Sequence, residues 1–555
     1  MKYPFISHAT CITLFVQKKK FTIKNGIIVA NESPYLVKGR NNFGEDLLEK
    51  MKKNHKSIGQ IDSTTETQET FETMADKSVR CALWLQSQNI KEGDVIAICT
   101  HNHLNQIYPA LAAMYIGAVM NPWWDHGLTP VIVKHFINLT QPKILFVNEE
   151  CFSITRDVAR EIKPDLKIVV FGKAEGAESF DTIIAKQKPA EIQKFRCAKL
   201  SSVNHPALIL YTSGTTGLPK GAVHSHKSLF GNIQSVQDVI NRNCVTTMWY
   251  STLCWVTGIL CSLSSISLGM LRIIPGPFVE EEACKMIEKY KVNWLLMGTS
   301  MANRLLKSGV IGKYNVTSVT SLLVGGAPLK EESQAELQKA FQNSLVLQAY
   351  GTTELCGIGT RQEKDCKKNS VGTVVSNLQI KIIDPQTRKI LGPNEKGEAC
   401  IKSPIMMTQY INNPEKTKQA IDAEGWLHTG DLAYYDEDGA LFIIERLNEL
   451  IKWRGHHVPP AMIEKLIQTL PGVGEVAVVG VPHLEDDEQP FAFVVKAPGC
   501  DVTKEEINIL VEKNLPDQMK LRAGIKFVDS IPHTASGKIS KNELKQIAKS
   551  LQKDE

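Results

Sequence analysis

Between residues 43 and 147, apolar positions recur with two different periods. Phe43, Leu47, Leu48 and Met51 follow helical spacing, as do Met74, Val79, Ala82, Leu83 and Leu85 after a polar Ser/Thr/Glu segment. Gly93-Asp94 then turns the chain into Val95-Ile96-Ala97-Ile98, a continuous apolar run of strand length. Helix, turn and strand repeat over 107–119 and 131–147, which predicts a parallel sheet covered by helices. Residues 173–206 are polar and weakly periodic and read as a connection between two sub-lobes. Strand patterns resume at Ala207-Leu208-Ile209-Leu210, Trp294-Leu295-Leu296-Met297 and Leu322-Leu323-Val324. From 371 the runs shorten and alternate between Gly372, Pro385, Gly392-Pro393, Gly397 and Pro404, predicting a small β-rich lobe. After Arg446, a helix pattern at 462–470 and strands at 476–479 and 491–495 predict a separate small domain.

At 555 residues the chain is too long for one core. Its 43% hydrophobic and 22% charged residues match a soluble globular protein. The net charge of +5 is spread along the chain, with short lysine runs only at 18–20 and 52–53, so no nucleic-acid partner is expected. Thirteen scattered cysteines without a CxxC pair signal neither a disulfide framework nor a zinc ribbon, and a reducing compartment fits best. The apolar stretch 9–16 lacks a small-residue cleavage signal and does not read as a secretory leader. The most apolar segment, 256–271, is too short and too rich in Ser and Gly for a membrane span, so no transmembrane segment is expected.

The chemistry concentrates in residues 211–221, YTSGTTGLPKG. Gly214, Gly217 and Gly221 permit tight turns, Thr212, Ser213, Thr215 and Thr216 supply hydroxyls, and Lys220 supplies a compact charge. That composition suits a polyphosphate, although it also describes a mobile surface turn, and GxxxxGK[ST] does not fit it. Lying between the apolar run at 207–210 and a helical pattern of Leu229, Ile233, Val236, Val239 and Ile240, it is expected in a strand-to-helix connection. Further along, Gly298-Thr299 and Gly325-Gly326-Ala327-Pro328 close two strand patterns, where glycine lets a flat ring approach backbone. Tyr350-Gly351-Thr352-Thr353-Glu354 reads in isolation as a turn capping a helix, and an aspartate such as Asp431 near Arg446 as a structural pair.

In this order the motifs resemble those of the adenylate-forming superfamily, which includes acyl-CoA synthetases, 4-coumarate-CoA ligases, peptide-synthetase adenylation domains and beetle luciferases. The resemblance runs from about residue 45 to 545. It implies an α/β fold with a large N-terminal domain, made of two parallel-sheet α/β lobes and a small β-rich lobe, and a small mobile C-terminal α+β domain. The implied divisions are an N-terminal extension at 1–44, an AMP-binding domain at 45–445 with its β-rich lobe from about 371, a hinge at 446–448 and the C-terminal domain at 449–555. The implied reaction joins a carboxylic acid to ATP, releasing pyrophosphate, and passes the acyl group to coenzyme A.

Carried onto this sequence, the resemblance gives the 211–221 loop, with Thr212 to Gly217 and Lys220, to the β- and γ-phosphates. Gly326, Ala327 and Pro328 lie beside adenine, and Tyr350 stacks on it. Gly351 and Thr352 join the nucleotide site, with a threonine of this motif touching the α-phosphate, and Thr353 stands among the catalytic residues. Glu354 holds Mg²⁺, for which a carboxylate is a suitable ligand. Asp431 accepts from the ribose hydroxyls and Arg446 lies nearby. Lys538, in His533-Thr534-Ala535-Ser536-Gly537-Lys538, bridges the substrate carboxylate and α-phosphate. After domain rotation Lys452 and the Gly455 segment serve transfer to coenzyme A. Asn448 stands where the hinge residue is usually Asp or Lys.

Trp255 stands at the histidine that luciferases place near luciferin, and Gly357 where they carry a serine, so light emission is not expected. Trp255, Thr257, Gly298, Gly325 and Ile358 are expected to line an apolar pocket for a medium- or long-chain fatty acid or an arylpropenoic acid. The alternatives are a luciferase-type monooxygenase and a fatty-acid or adenylate-binding protein of reduced activity. ATP, Mg²⁺ and coenzyme A are the expected cofactors and a monomer or weak dimer the expected state. An intracellular location is expected, cytoplasmic by default with peroxisomal import left open, although no Ser-Lys-Leu type ending is present.

Overall fold

The computed structural model describes residues 20–34, 39–212, 218–239, 245–454, 456–533 and 538–551. Its first sheet has eight strands. Four parallel strands, Val95–Cys99, Val119–Trp123, Ile144–Asn148 and Lys167–Phe171, form its centre. They are buried on both faces, as their unbroken apolar runs require, and helices cover them. Local sequence sets the boundaries. Asn42 caps the helix Phe43–Lys53, Asn148 caps Glu149–Ile162, and Gly117 ends Tyr108–Ile116 in the left-handed conformation at φ 76°.

The second sheet has nine strands. Thr246–Trp249, Leu271–Ile274, Trp294–Gly298, Ser321–Gly325 and Leu345–Thr352 run parallel, so their carboxyl ends gather along one edge. A six-stranded antiparallel sheet follows, with Gln379–Ile383, Gly397–Lys402, Leu427–Tyr435 and Leu441–Arg446 at its core. The hairpin Phe21–Lys24 and Ile27–Ala30 adds its outer two strands. A smaller five-stranded sheet is built from the C-terminal residues 451–527 and packed with the helices Pro460–Ile467 and Lys541–Leu551. The large α/β N-terminal part and small C-terminal domain are those the motif order implies.

Two local expectations change. The 211–221 segment is not a strand-to-helix connection: its described ends belong to two antiparallel strands, Pro206–Thr212 and Lys220–Ser225, and the helix His226–Val239 starts only after the second strand. Ala222 and Val223 are drawn into that strand because both are buried against its neighbours. The connection at 173–206 carries two short helices, Phe180–Ala185 and Pro189–Lys194, and Phe180 and Ile183 enter the core. Trp123 and Trp124 both pack on Phe136; Trp123 is buried and donates Nε1–H to Asn121 Oδ1 at 2.8 Å, and Trp124 also stacks on Trp255. No helix among the described residues is long and apolar enough to cross a membrane.

Candidate nucleotide and acid site

The two strand ends that flank residues 213–217 are both anchored. Tyr211 stacks on Phe136 with centroids 4.0 Å apart and donates its hydroxyl to Asn121 Oδ1 at 3.1 Å. Thr212, directly opposite Lys220 in the register, is buried and its Oγ1 has no hydrogen-bond partner among the described residues. A buried hydroxyl without a partner costs free energy, and an incoming acceptor or donor would recover it. Ser213, Gly214, Thr215, Thr216 and Gly217 lie outside the described residues, as does Gly455. Lys220 Nζ sits 4.2 Å from the Tyr410 ring centroid; burial lowers its pKa, with Lys416 and Arg446 adding to the fall and the Glu354 carboxylate opposing it. Tyr410 in turn donates its hydroxyl to Glu354 Oε1 at 2.7 Å.

The parallel strand ends supply an open cradle. Gly298 and Gly325 are register neighbours. A Cβ built on Gly298 or Gly326 meets nothing within 4 Å, and one on Gly325 meets only Ala349 O at 3.7 Å. Thr299 Oγ1 donates to Ala327 O at 2.7 Å and holds the turn, leaving Ala327 and Pro328 exposed beside it. The Tyr350 motif does not cap a helix. It continues Leu345–Thr352 into a hairpin with Gly357–Arg361, where Gly351 faces Ile358. Gly351 is required there, because a Cβ would lie 2.2 Å from Gly357 O. Thr352, Thr353 and Glu354 follow half-buried in the turn.

Asp431 closes the opposite side. Its carboxylate is 3% exposed, accepts from Tyr350 Oη at 2.5 Å on Oδ2, and pairs with Arg446 Nε at 2.9 Å on Oδ1. Arg446 also donates Nη1–H to Thr429 O at 3.1 Å. A carboxylate offers about four acceptor positions, so two remain for further hydroxyls. Burial raises the Asp431 pKa against the pull of Arg446, Tyr350 and Lys538. Lys538 is exposed, yet surrounding protein and then Arg446 lower its pKa while Asp431 and Glu449 act to raise it. Lys220, Glu354, Asp431, Arg446 and Lys538 are linked through a chain of such electrostatic neighbours. Lys452 stands apart, exposed on Ile451–Trp453, with its backbone N–H on Glu488 Oε2 at 2.9 Å.

Of the pocket residues, Trp255 precedes the helix Val256–Leu268, and Thr257 Oγ1 donates to Ser251 Oγ at 2.9 Å. Ile358 is half-buried in the Gly357–Arg361 strand. Two residues escape the motif reading. Trp124 stacks on Trp255 across the two sheets at 6.4 Å and 17°, and Tyr410 joins Lys220 to Glu354. Neither stands out by period or spacing, because the contact is made between distant segments. A separate set of metal-ligand donor types, Glu398, Cys400 and His428, is already satisfied internally. His428 Nδ1 bonds Glu398 at 3.0 Å, Arg388 Nη2 donates to its Nε2 at 3.1 Å, and burial pushes the Cys400 thiol up to about 12.

The family model described as AMP-binding enzyme matches residues 49–411, and that described as AMP-binding enzyme C-terminal domain matches 462–538. The chain is 31% identical to luciferin 4-monooxygenase of Nipponoluciola cruciata over 535 residues, covering 94% of this chain and 97% of that protein. It is 32% identical to 4-coumarate:CoA ligase 1 of Petunia hybrida over 502 residues, 86% of this chain and 88% of the ligase. Among solved structures, the luciferase-like enzyme from the nonluminescent Zophobas morio mealworm superposes with a TM-score of 0.71 at 30% identity, covering 76% of this chain and 98% of that one.

Proposed function

The chain belongs to the AMP-binding enzyme family of adenylate-forming enzymes, and on that premise we propose that it is an ATP-dependent acid–thiol ligase. A carboxylate is a poor acyl donor because oxide is a poor leaving group. Attack of a carboxylate oxygen on the α-phosphorus of ATP breaks the bond to the β-phosphate oxygen, gives an acyl-adenylate and releases pyrophosphate. Attack of the coenzyme A thiolate on the acyl carbon then expels AMP. The protein's task is alignment and neutralisation of charge rather than covalent chemistry.

The observation that carries this reading is the chain of electrostatic neighbours that joins Lys220, Glu354, Asp431, Arg446 and Lys538, fixed by the Asp431 bonds to Tyr350 and Arg446. The orphaned Thr212 hydroxyl and the open cradle suit a nucleotide, with adenine against Gly326, Ala327 and Pro328 beside Tyr350. Ribose hydroxyls take the remaining acceptor positions of Asp431. Glu354 suits Mg²⁺, a hard cation that neutralises phosphate charge when bound. Lys538 neutralises charge between the acid and the α-phosphate, and Lys452, remote from this cluster, serves the transfer step after the C-terminal domain turns at 446–448. Thr353 O accepts from Cys356 N–H at 3.0 Å and Thr352 Oγ1 from Leu355 N–H at 3.3 Å in the turn that carries Glu354, and Thr353 is read as a catalytic residue. Trp255, Thr257, Gly298, Gly325 and Ile358 line the acid pocket.

The luciferin monooxygenase relatives favour a second reading, oxidation of an adenylate with light emission. Trp255 in place of a ring that could move protons counts against it, since indole donates but does not accept. One assay separates the two. Incubation with MgATP and acids from C6 to C18 and coumarate, with and without coenzyme A, is expected to give acyl-CoA, AMP and pyrophosphate for one acid class and no light with luciferin. Light from luciferin, or no acyl-CoA with any acid, would overturn the ligase.

A further inference from the structure

Tyr410 is the point at which the lysine of the hairpin and the carboxylate of the Tyr350 motif meet. Its ring face carries the Lys220 ammonium at 4.2 Å, and its hydroxyl donates to Glu354 Oε1 at 2.7 Å. The ring is itself anchored. Gln409–Tyr410 is a two-residue strand paired with Lys220–Ser225, opposite Ala222 and Val223. Tyr410 N donates to Thr417 Oγ1 at 2.9 Å, and three residues earlier Met407 N donates to Glu354 O at 2.7 Å. The segment 407–410 is therefore bonded both to the strand that carries Lys220 and to the residue that carries the carboxylate.

We propose that Tyr410 is a positioning residue of the adenylation step: its hydroxyl turns Glu354 so that Oε2 is presented to the metal of the metal–nucleotide complex, while its ring fixes the Lys220 ammonium for the phosphates. The inference rests on the reading of Glu354 as the metal ligand and Lys220 as a phosphate ligand. Two functions are thus separable in one side chain. The hydroxyl acts on the metal through the carboxylate, in the way that hydrogen bonds orient metal-binding carboxylates generally. The ring acts on the cation through its π face, an interaction that survives loss of the hydroxyl.

The test compares wild type, Tyr410→Phe, Tyr410→Leu and Glu354→Gln in full-length protein. Calorimetric affinities for Mn²⁺–ATP and for metal-free ATP are measured, together with the Mg²⁺ concentration that half-saturates acid-dependent pyrophosphate release. Tyr410→Phe is expected to weaken Mn²⁺–ATP binding about 10-fold and raise the Mg²⁺ requirement similarly, with metal-free ATP bound as in wild type. Tyr410→Leu is expected to weaken metal-free ATP as well, because Lys220 loses its platform. If Glu354→Gln weakens Mn²⁺–ATP binding and Tyr410→Phe does not, the positioning role is wrong and the metal assignment stands. If Glu354→Gln leaves Mn²⁺–ATP binding unchanged, the metal assignment itself is wrong and the positioning role falls with it. Equal losses in Tyr410→Phe and Tyr410→Leu for both ligands would reduce Tyr410 to a packing residue.

Discussion

The Nδ1 atom of His226 accepts the Phe43 N–H at 3.1 Å in a site closed to water, a bond that only the neutral ring makes. Burial holds its pKa down at about 3, and does the same for His224 and His103. In the unfolded chain each histidine takes up a proton near pH 6.5. The folded values lie below the unfolded ones, so this stability is present above pH 6.5 and is lost as pH falls from about 6.5 toward 3. Each ring contributes a slope of about 1.4 kcal/mol per pH unit within that window. The unfolding midpoint is therefore expected to be lower at pH 5.5 than at pH 7.5. His226→Asn, which keeps an acceptor without titrating, is expected to flatten the dependence; an unchanged pH profile in that variant would contradict the assignment. At this scale the motif residues were legible, since Lys220, Tyr350, Glu354, Asp431, Arg446 and Lys538 stand in recognisable strings. Tyr410 and Trp124 were not, because their partners are distant in sequence and no local period marks them.

At the scale of elements, identical letters serve different needs. Gly298 ends a parallel strand at the open cradle, whereas Gly351 sits inside a hairpin against the Gly357 carbonyl. Gly298→Ala is expected to leave the thermal midpoint unchanged and raise the KM for the acid severalfold, by placing a methyl group in the cradle. Gly351→Ala forces backbone apart and is expected to lower the midpoint by several degrees. Thermal melts and steady-state kinetics on the pair check both, and a loss of stability in Gly298→Ala would show that the cradle is packed rather than open. The strands of the two α/β lobes were readable because burial on both faces leaves continuous apolar runs. The hairpin at 206–225 was not, because Lys220–Ser225 is short and carries His224 and Ser225 among its buried positions. The N-terminal hairpin at 21–30 escaped likewise: its mixed burial is set by pairing with residues more than 300 positions away.

Across the whole molecule, a charge cluster ties the last helix to the C-terminal domain's own first segments and to Glu445 of the preceding sheet. Lys541, on the last helix, lies within 3.4–3.5 Å of Glu445, Glu449 and Glu464, which come from the antiparallel sheet, the turn after it and the helix Pro460–Ile467. That cluster sits three residues beyond Lys538 and helps hold it as an electrostatic neighbour of Asp431 and Arg446. On the proposed reading, adenylation is the step that this placement of Lys538 serves. Acid-dependent exchange of labelled pyrophosphate into ATP isolates that step from thiol transfer. The wild-type chain is expected to exchange only when its acid is present, with Lys538→Ala reduced about 100- to 1,000-fold and Lys452→Ala close to wild type. Exchange at the wild-type rate in Lys538→Ala would contradict the account.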